Sequence, residues 1–214
     1  MSPKVADPAV RTALIEQAAR ITAEEGRDAL TLRRLAAEVG SSTMAIYTHF
    51  GGMDDLRRAV RREGFARLAA HLGAVERTGD TVSDLCVGGW AYYLNGTTNP
   101  NLYRAMFMDK PIDEADAEVG LYTFEFLVDA VQRCIDAGRF RPGDAVQLAN
   151  QFWAVSHGVV ALELTEMLAP DDALGCLQAA GRNLILGFGD TPSAYARSIA
   201  RAEPRFEQLG VPAG

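Results

Sequence analysis

The chain has 214 residues, 48% of them hydrophobic and 23% charged, which excludes disorder and collagen-like repeats and permits a core without disulfide or metal staples. Cys86, Cys134 and Cys176 are odd in number and far apart, so they offer neither a disulfide framework nor a zinc-ligand spacing, and a reducing cytoplasm suits them. The net charge of −7 argues against a nucleic-acid partner only until its distribution is read: ten Lys and Arg face eight Asp and Glu up to Arg62, and eleven face twenty beyond it.

Apolar residues return every three or four positions and no strict alternation persists, so the expected fold is all-α with almost no strand. A first helix is capped by Asp7, opens with Pro8 and buries Val10, Leu14, Ala18 and Ile21 before Gly26. A second starts at Thr31, buries Leu32, Leu35, Ala36 and Val39 and turns at Gly40. Ser42 caps a third, in which Ile46 and Phe50 face inward while Thr43 and Tyr47 share another face, and Gly51-Gly52 ends it. From Met53 a longer helix reaches about His71, with Asp54 and Asp55 at its positive end. Turn signals, Asn95-Gly96 among them, separate further helices near 81–95, 100–108, 115–137, 144–168 and 171–188. The tail from Gly189, with Pro192, Pro204 and Pro212, has room for one short helix and little apolar content to hold it. The N-terminus lacks the apolar core of a secretory signal, and Phe152 to Leu164, broken by Ser156, His157 and Glu163, is too short to cross a bilayer, so no membrane partner is expected.

Two short helices joined by a tight Gly-containing turn place the second helix in the DNA major groove. Residues 31–50, TLRRLAAEVGSSTMAIYTHF, have that layout, and with the leading helix and the acidic start of the next they resemble the N-terminal module of the tetracycline-repressor-like (TetR) family of bacterial transcriptional regulators. Asn99 to Phe107 resembles the family's short sixth helix, and Trp153-x-x-x-His157-Gly158 resembles a segment of one subgroup. The resemblance implies an N-terminal three-helix DNA-binding domain at 1–52. It also implies a helical effector-binding and dimerisation domain at 53–190, opened by a linking helix at 53–73, and leaves a C-terminal tail at 191–214.

Thr43, Met44 and Ala45 occupy the first turn of the recognition helix, where a hydroxyl can bond a base and apolar groups can meet thymine methyls. Tyr47, Thr48 and His49, with Thr31 and Arg33, carry donors suited to phosphates, and Ser42 is grouped with them; the resemblance makes Tyr47 and His49 backbone contacts. Tyr47 has a competing reading as a core aromatic, which is accepted for Phe50. Met53 stands where the family often has Lys, which predicts weaker non-specific affinity. Arg57, Arg58, Arg61 and Arg62 compensate where they face the duplex, the last two reading rather as a solvated face.

The resemblance further implies a small effector in the larger domain, a homodimer built by helices 144–168 and 171–188, and a pseudo-palindromic double-stranded operator. Repressor rather than activator is the family's prior. Trp90, Tyr93, Phe107, Phe124, Trp153 and His157 are candidates for lining an apolar effector cavity, against the plain alternative that aromatics at helical spacing fill cores. His157, four residues after Trp153, bonds either a neighbouring helix or a ligand. An enzyme is not expected: no His-Glu-x-x-His, Gly-x-Ser-x-Gly or Walker sequence occurs, and no cofactor, metal ligand or catalytic residue is assigned. Asp109, Asp113, Glu114, Asp116 and Glu118 read as a solvated acidic loop. A helical scaffold without DNA activity remains the competing class, and it leaves the first fifty residues unexplained.

Overall fold

A computed structural model describes residues 7–209. The elements are α1 (Pro8–Glu25), α2 (Leu32–Val39), α3 (Thr43–Phe50), α4 (Met53–Gly73), α5 (Thr81–Thr98), α6 (Pro100–Phe107), α7 (Glu114–Glu118), α8 (Leu121–Asp136), α9 (Ala145–Leu164), α10 (Pro170–Phe188) and α11 (Pro192–Gln208). A single 3-10 turn at Arg27–Ala29 joins α1 to α2, and there is no strand among the described residues.

The first three helices begin where short polar side chains satisfy otherwise orphan backbone donors. The Ala9 N–H donates to the Asp7 carboxylate at 2.9 Å, the Arg34 N–H to the Thr31 hydroxyl at 3.3 Å and the Ala45 N–H to the Ser42 hydroxyl at 3.1 Å.

The chain divides into two compact units. The first runs to Arg67 and takes up Asn99–Gly120; the second comprises Leu68–Thr98 and the chain from Leu121 onward. In the first, Leu14, Ile21, Leu35, Ile46, Phe50 and Leu56 form a core that Leu102 and Ala105 of α6 complete. At Gly64 a Cβ would lie 2.6 Å from the Met106 side chain, so the missing side chain sets how closely α4 and α6 approach.

In the second unit α5 packs against α8, α9 and α11, and α10 packs on α9. Phe140, Phe152 and Phe188 meet at ring distances of 5.5 to 6.3 Å, surrounded by Val82, Leu85, Val131 and Ile185. The helix expected at 115–137 is two helices, because Gly120 adopts φ +104° between α7 and α8. Asn95-Gly96 is no turn: both residues are buried inside α5. The expected tail is also corrected, since Pro192–Gln208 is one 17-residue helix with Ser198, Ala202 and Phe206 buried. Pro212 and the outer ends of the expected first and last stretches, 1–6 and 210–214, lie outside the described residues.

Charge adds to the buried Ala202 and Phe206 in holding α11. Asp80 accepts from the Ser198 hydroxyl at 2.8 Å and from Arg201 at 2.8 Å, and Asp84 accepts from Arg133 at 2.7 Å and Arg205 at 2.9 Å. Arg139 clasps Asp190 through two bonds of 2.9 and 2.7 Å. Burial alone would raise the Asp80 carboxyl, but hydrogen bonds from the Ser83 N–H, Ser198 and Arg201 and the charge of Arg139 outweigh it and hold it below the usual range. Asp84 behaves likewise, with burial opposed by Arg133, Thr78 and Arg205.

Candidate functional site

On α3 the helical period separates two faces: Ile46 and Phe50 enter the core, while Met44 is 70% and Tyr47 51% exposed. Tyr47 is therefore not a core aromatic, and Phe50 is, with the Arg11 guanidinium 5.4 Å from its ring centre. Thr43, Ser42, Thr31 and Arg33 are exposed, Ala45 is half-buried, and half-buried His49 tilts against Phe50 at 5.9 Å. Seven of the nine residues expected to meet DNA thus lie on the outside of α2 and α3 and in their caps. The capping hydroxyls of Thr31 and Ser42 accept from the backbone and keep a proton to donate. Thr48 differs: its hydroxyl donates to the Met44 carbonyl at 2.9 Å, so that proton is already committed within the helix.

The neighbouring Arg34 has a different task. It pairs with Glu25 and with Glu38 at 2.8 Å, and Arg20 bonds Glu38 at 2.6 Å, so α1 and α2 are tied together on the surface away from Arg33. Hydrogen bonding to Arg34 holds the Glu25 and Glu38 carboxyls below their usual range.

Three arginines of α4, Arg57, Arg58 and Arg61, are occupied, whereas Arg62 is exposed. Arg57 donates to Asp54 at 3.1 Å, and Arg58 to Asp55 at 2.9 Å and Asp113 at 2.5 Å. Arg61 is not on a solvated face: it is half-buried and donates to the carbonyls of Ala105 at 3.3 Å and Asp116 at 3.2 Å. The acidic loop is corrected in the same way, because Asp113 caps α7 and Asp116 is only 3% exposed.

The second unit divides the effector candidates. Trp90 stacks on Phe206 with centroids 4.5 Å apart and belongs to the core beneath α11. Tyr93 meets Trp90 edge-on and donates its hydroxyl to Glu163 at 2.6 Å; burial, then Glu163, pushes its phenol well above the ordinary value. Phe124, Trp153 and His157 form a run, with ring distances of 6.0 Å and 5.9 Å, and Trp153 is 38% exposed. His157 lies 3.5 Å from the Tyr92 hydroxyl, and burial lowers its pKa, so the ring is neutral near pH 7. Phe107 belongs to the first unit, where it packs on Phe65 and Tyr103. Tyr92 and Glu163 were not foreseen, because their partners lie 65 and 70 residues away along the chain.

Burial pushes the Cys86 thiol up to about 12 and the Cys134 thiol up to about 11, leaving neither as a thiolate nucleophile. Among the described residues no three His, Cys, Asp or Glu group to hold a metal ion, and no helix is long and apolar enough to cross a membrane.

Residues 14–60 match the family described as bacterial regulatory proteins, tetR family, and residues 87–181 match a tetracyclin repressor-like C-terminal domain. An uncharacterised helix-turn-helix-type transcriptional regulator of Mycobacterium tuberculosis is 30% identical over 161 residues, 74% of this chain and 72% of that protein. The repressor AcnR of Corynebacterium glutamicum is 42% identical over 59 residues, 28% of this chain and 31% of AcnR. Among solved structures, a Rhodococcus sp. RHA1 protein of unknown function superposes with a TM-score of 0.73 at 26% identity, covering 89% of this chain and 100% of that one. AibR, solved with isovaleryl coenzyme A and operator DNA, shares the fold with a TM-score of 0.66 at 20% identity, covering 85% of this chain and 100% of AibR.

Proposed function

The chain belongs to the TetR family of bacterial transcriptional regulators, and from that premise we propose a homodimeric, cytoplasmic repressor that leaves its operator when a small, mainly apolar effector binds the second unit. The observation that carries the DNA half is the outward face of α3: Met44 and Tyr47 are large, exposed and idle in the fold, on a helix whose other face is wholly buried. Thr43, Met44 and Ala45 read base edges; Tyr47 and His49, with Thr31, Arg33 and Ser42, bond phosphates. Thr48 takes a lesser part, because its proton is held by Met44.

Repression is the activity in AcnR's name, and AibR was solved with both an acyl thioester and operator DNA, which supports the ligand-responsive reading. In this chain the effector contacts are Phe124, Trp153 and the neutral His157, backed by Tyr92; Trp90, stacked on Phe206, and Tyr93, bonded to Glu163, serve the fold, and Phe107 drops out. The Trp153-x-x-x-His157-Gly158 segment marks the subgroup through these contacts. Dimerisation runs through α9 and α10, where Gly175, Cys176 and Ala179 are exposed and a Cβ at Gly158, Gly175, Gly181 or Gly187 would meet nothing within 4 Å. Faces this small suit close helix packing between two copies.

The test is fluorescence anisotropy with duplexes tiled across the DNA flanking the gene, at two salt concentrations, against a shuffled control. One duplex binds far more tightly than the control, and its affinity falls with salt. Tyr47→Phe loses about five- to tenfold on every duplex with an unchanged salt slope, because the lost hydroxyl is uncharged. Thr43→Ala instead narrows the preference among operator variants by about fivefold. Equal losses for both variants on all sequences would refute the division between base and phosphate contacts.

A further inference from the structure

The C-terminal end of α3 carries two of the residues assigned to phosphates, Tyr47 and His49, and neither is a fixed cation. The chain then turns through Gly51 and Gly52 and opens α4 with Asp54 and Asp55, so the next charges along it are negative. Of the arginines that follow, Arg57, Arg58 and Arg61 are bonded within the unit, and Arg62 lies about 13 Å further along α4 than Met53. On α1 and α2, Arg20 and Arg34 are paired with Glu24, Glu25 and Glu38. A phosphate backbone passing this end of α3 therefore meets two carboxylates unless another element supplies a cation.

Helix α1 supplies one. Arg11 is exposed in its first turn, and the guanidinium carbon lies 5.4 Å from the centre of the Phe50 ring. Phe50 is three residues after Tyr47, so the two are neighbours along α3, and His49 lies 5.9 Å from the same ring. The Arg11 guanidinium, the Tyr47 hydroxyl and the His49 ring are thereby gathered around one aromatic from two helices. Among the described residues no acid or carbonyl accepts from the Arg11 side chain. The carboxylate one turn earlier, Asp7, is used as the helix cap and accepts from the Ala9 N–H at 2.9 Å. A guanidinium held over an aromatic ring has given up part of its rotamer freedom before any ligand arrives, and its flat fork of N–H donors matches two oxygens of one phosphate.

We infer that Arg11 bonds a backbone phosphate of the DNA beside those met by Tyr47 and His49, and is the cation of this end of the α3 contact. The inference rests on the DNA-binding reading of α3 and adds to it a residue from outside the helix-turn-helix. Because a phosphate carries no base identity, Arg11 sets affinity and register on any sequence and leaves the choice among sequences to the first turn of α3.

The test is the slope of log affinity against log salt concentration, measured by anisotropy for the full chain on a shuffled duplex and on the tightest of the tiled duplexes. Arg11→Gln flattens the slope by about one per bound subunit and weakens both duplexes by about tenfold, leaving their ratio unchanged. Arg11→Lys keeps the wild-type slope. Arg197→Gln removes the same charge from an exposed position on α11 and leaves the slope as it was. A merely structural contact with Phe50 predicts the opposite pattern, a slightly lower melting temperature in Arg11→Gln with the slope intact, and that result would overturn the assignment. So would equal flattening in Arg197→Gln, which would trace the effect to net charge. Both outcomes leave the regulator reading standing, whereas a wild-type chain that binds neither duplex at low salt removes that reading and the role of Arg11 together.

Discussion

Arg139→Met lowers the unfolding temperature by about 10 °C, from a loss of roughly 3–5 kcal/mol. Methionine keeps most of the side-chain length, so the loss is one of charge pairing rather than volume. Arg139 is bonded at once to both Asp190 oxygens, to Asp80 at 3.3 Å and to the Ser198 hydroxyl at 3.0 Å. Asp80 keeps Ser198, Arg201 and the Ser83 N–H after the change, but Asp190, 3% exposed, loses the guanidinium that faces it. The cost of removing one partner from a buried pair lies chiefly in the charge left behind, so adding Asp190→Leu recovers part of it.

The sign with pH follows from the carboxyls. Asp80 and Asp84 are held below the usual aspartate value, so the stability they contribute is complete above about pH 4, the unfolded value, and is lost as pH falls through their lower folded values. Wild-type protein therefore loses thermal stability in that acid window. Thermal melts across the acid range check this, and a wild-type stability that stays constant through that window contradicts it.

Gly120→Ala is the second severe change, costing about 3 kcal/mol or more, read as a fall in the urea midpoint. Two effects add. The residue sits at φ +104°, where a Cβ is strained, and that Cβ would lie 2.2 to 2.4 Å from three atoms of the Phe65 ring. The ring cannot retreat easily, being 4% exposed and packed edge-on against Phe107 at 5.5 Å. Gly138→Ala separates the contributions: its φ is +67° with nothing within 4 Å of the added carbon, and about 1 kcal/mol of backbone strain is expected alone. Similar losses at the two positions would mean that the clash relaxes.

The contrast between the chain's two ends shows what local sequence can disclose. Asp7, Thr31 and Ser42 each cap a backbone donor two or three residues ahead, so the helix-turn-helix and its outward Tyr47 are written within a few positions of one another. Helix α11 is held instead by Asp80 and Asp84, some 120 residues earlier, through arginines that read as an ordinary charged tail. Periodicity registers apolar faces and is blind to such pairings. The same distance hid the partners of His157 and Tyr93, which lie 65 and 70 residues away. Asn95-Gly96 misled for a related reason: a good turn dipeptide stays helical when both residues are buried and Thr97 and Thr98 bond back to the preceding turn. Which aromatics fill the core was not legible where stacking on a distant helix decides their place, as for Trp90 on Phe206.

The inclusion of α6 in the core of the first unit bears on how such regulators can diversify. Leu102 and Ala105 fill the space behind α1, so the DNA-reading head is not a contiguous cassette but two stretches of chain interrupted by α5. A recombination crossover placed after α3 or α4 would pair one parent's helix-turn-helix with the other parent's α6 and leave the hydrophobic contact mismatched. Heads can be exchanged between relatives only if residues 99–120 travel with them, or if α6 has first drifted to fit both, so operator preference is freer to change by substitution on α3 than by shuffling whole domains.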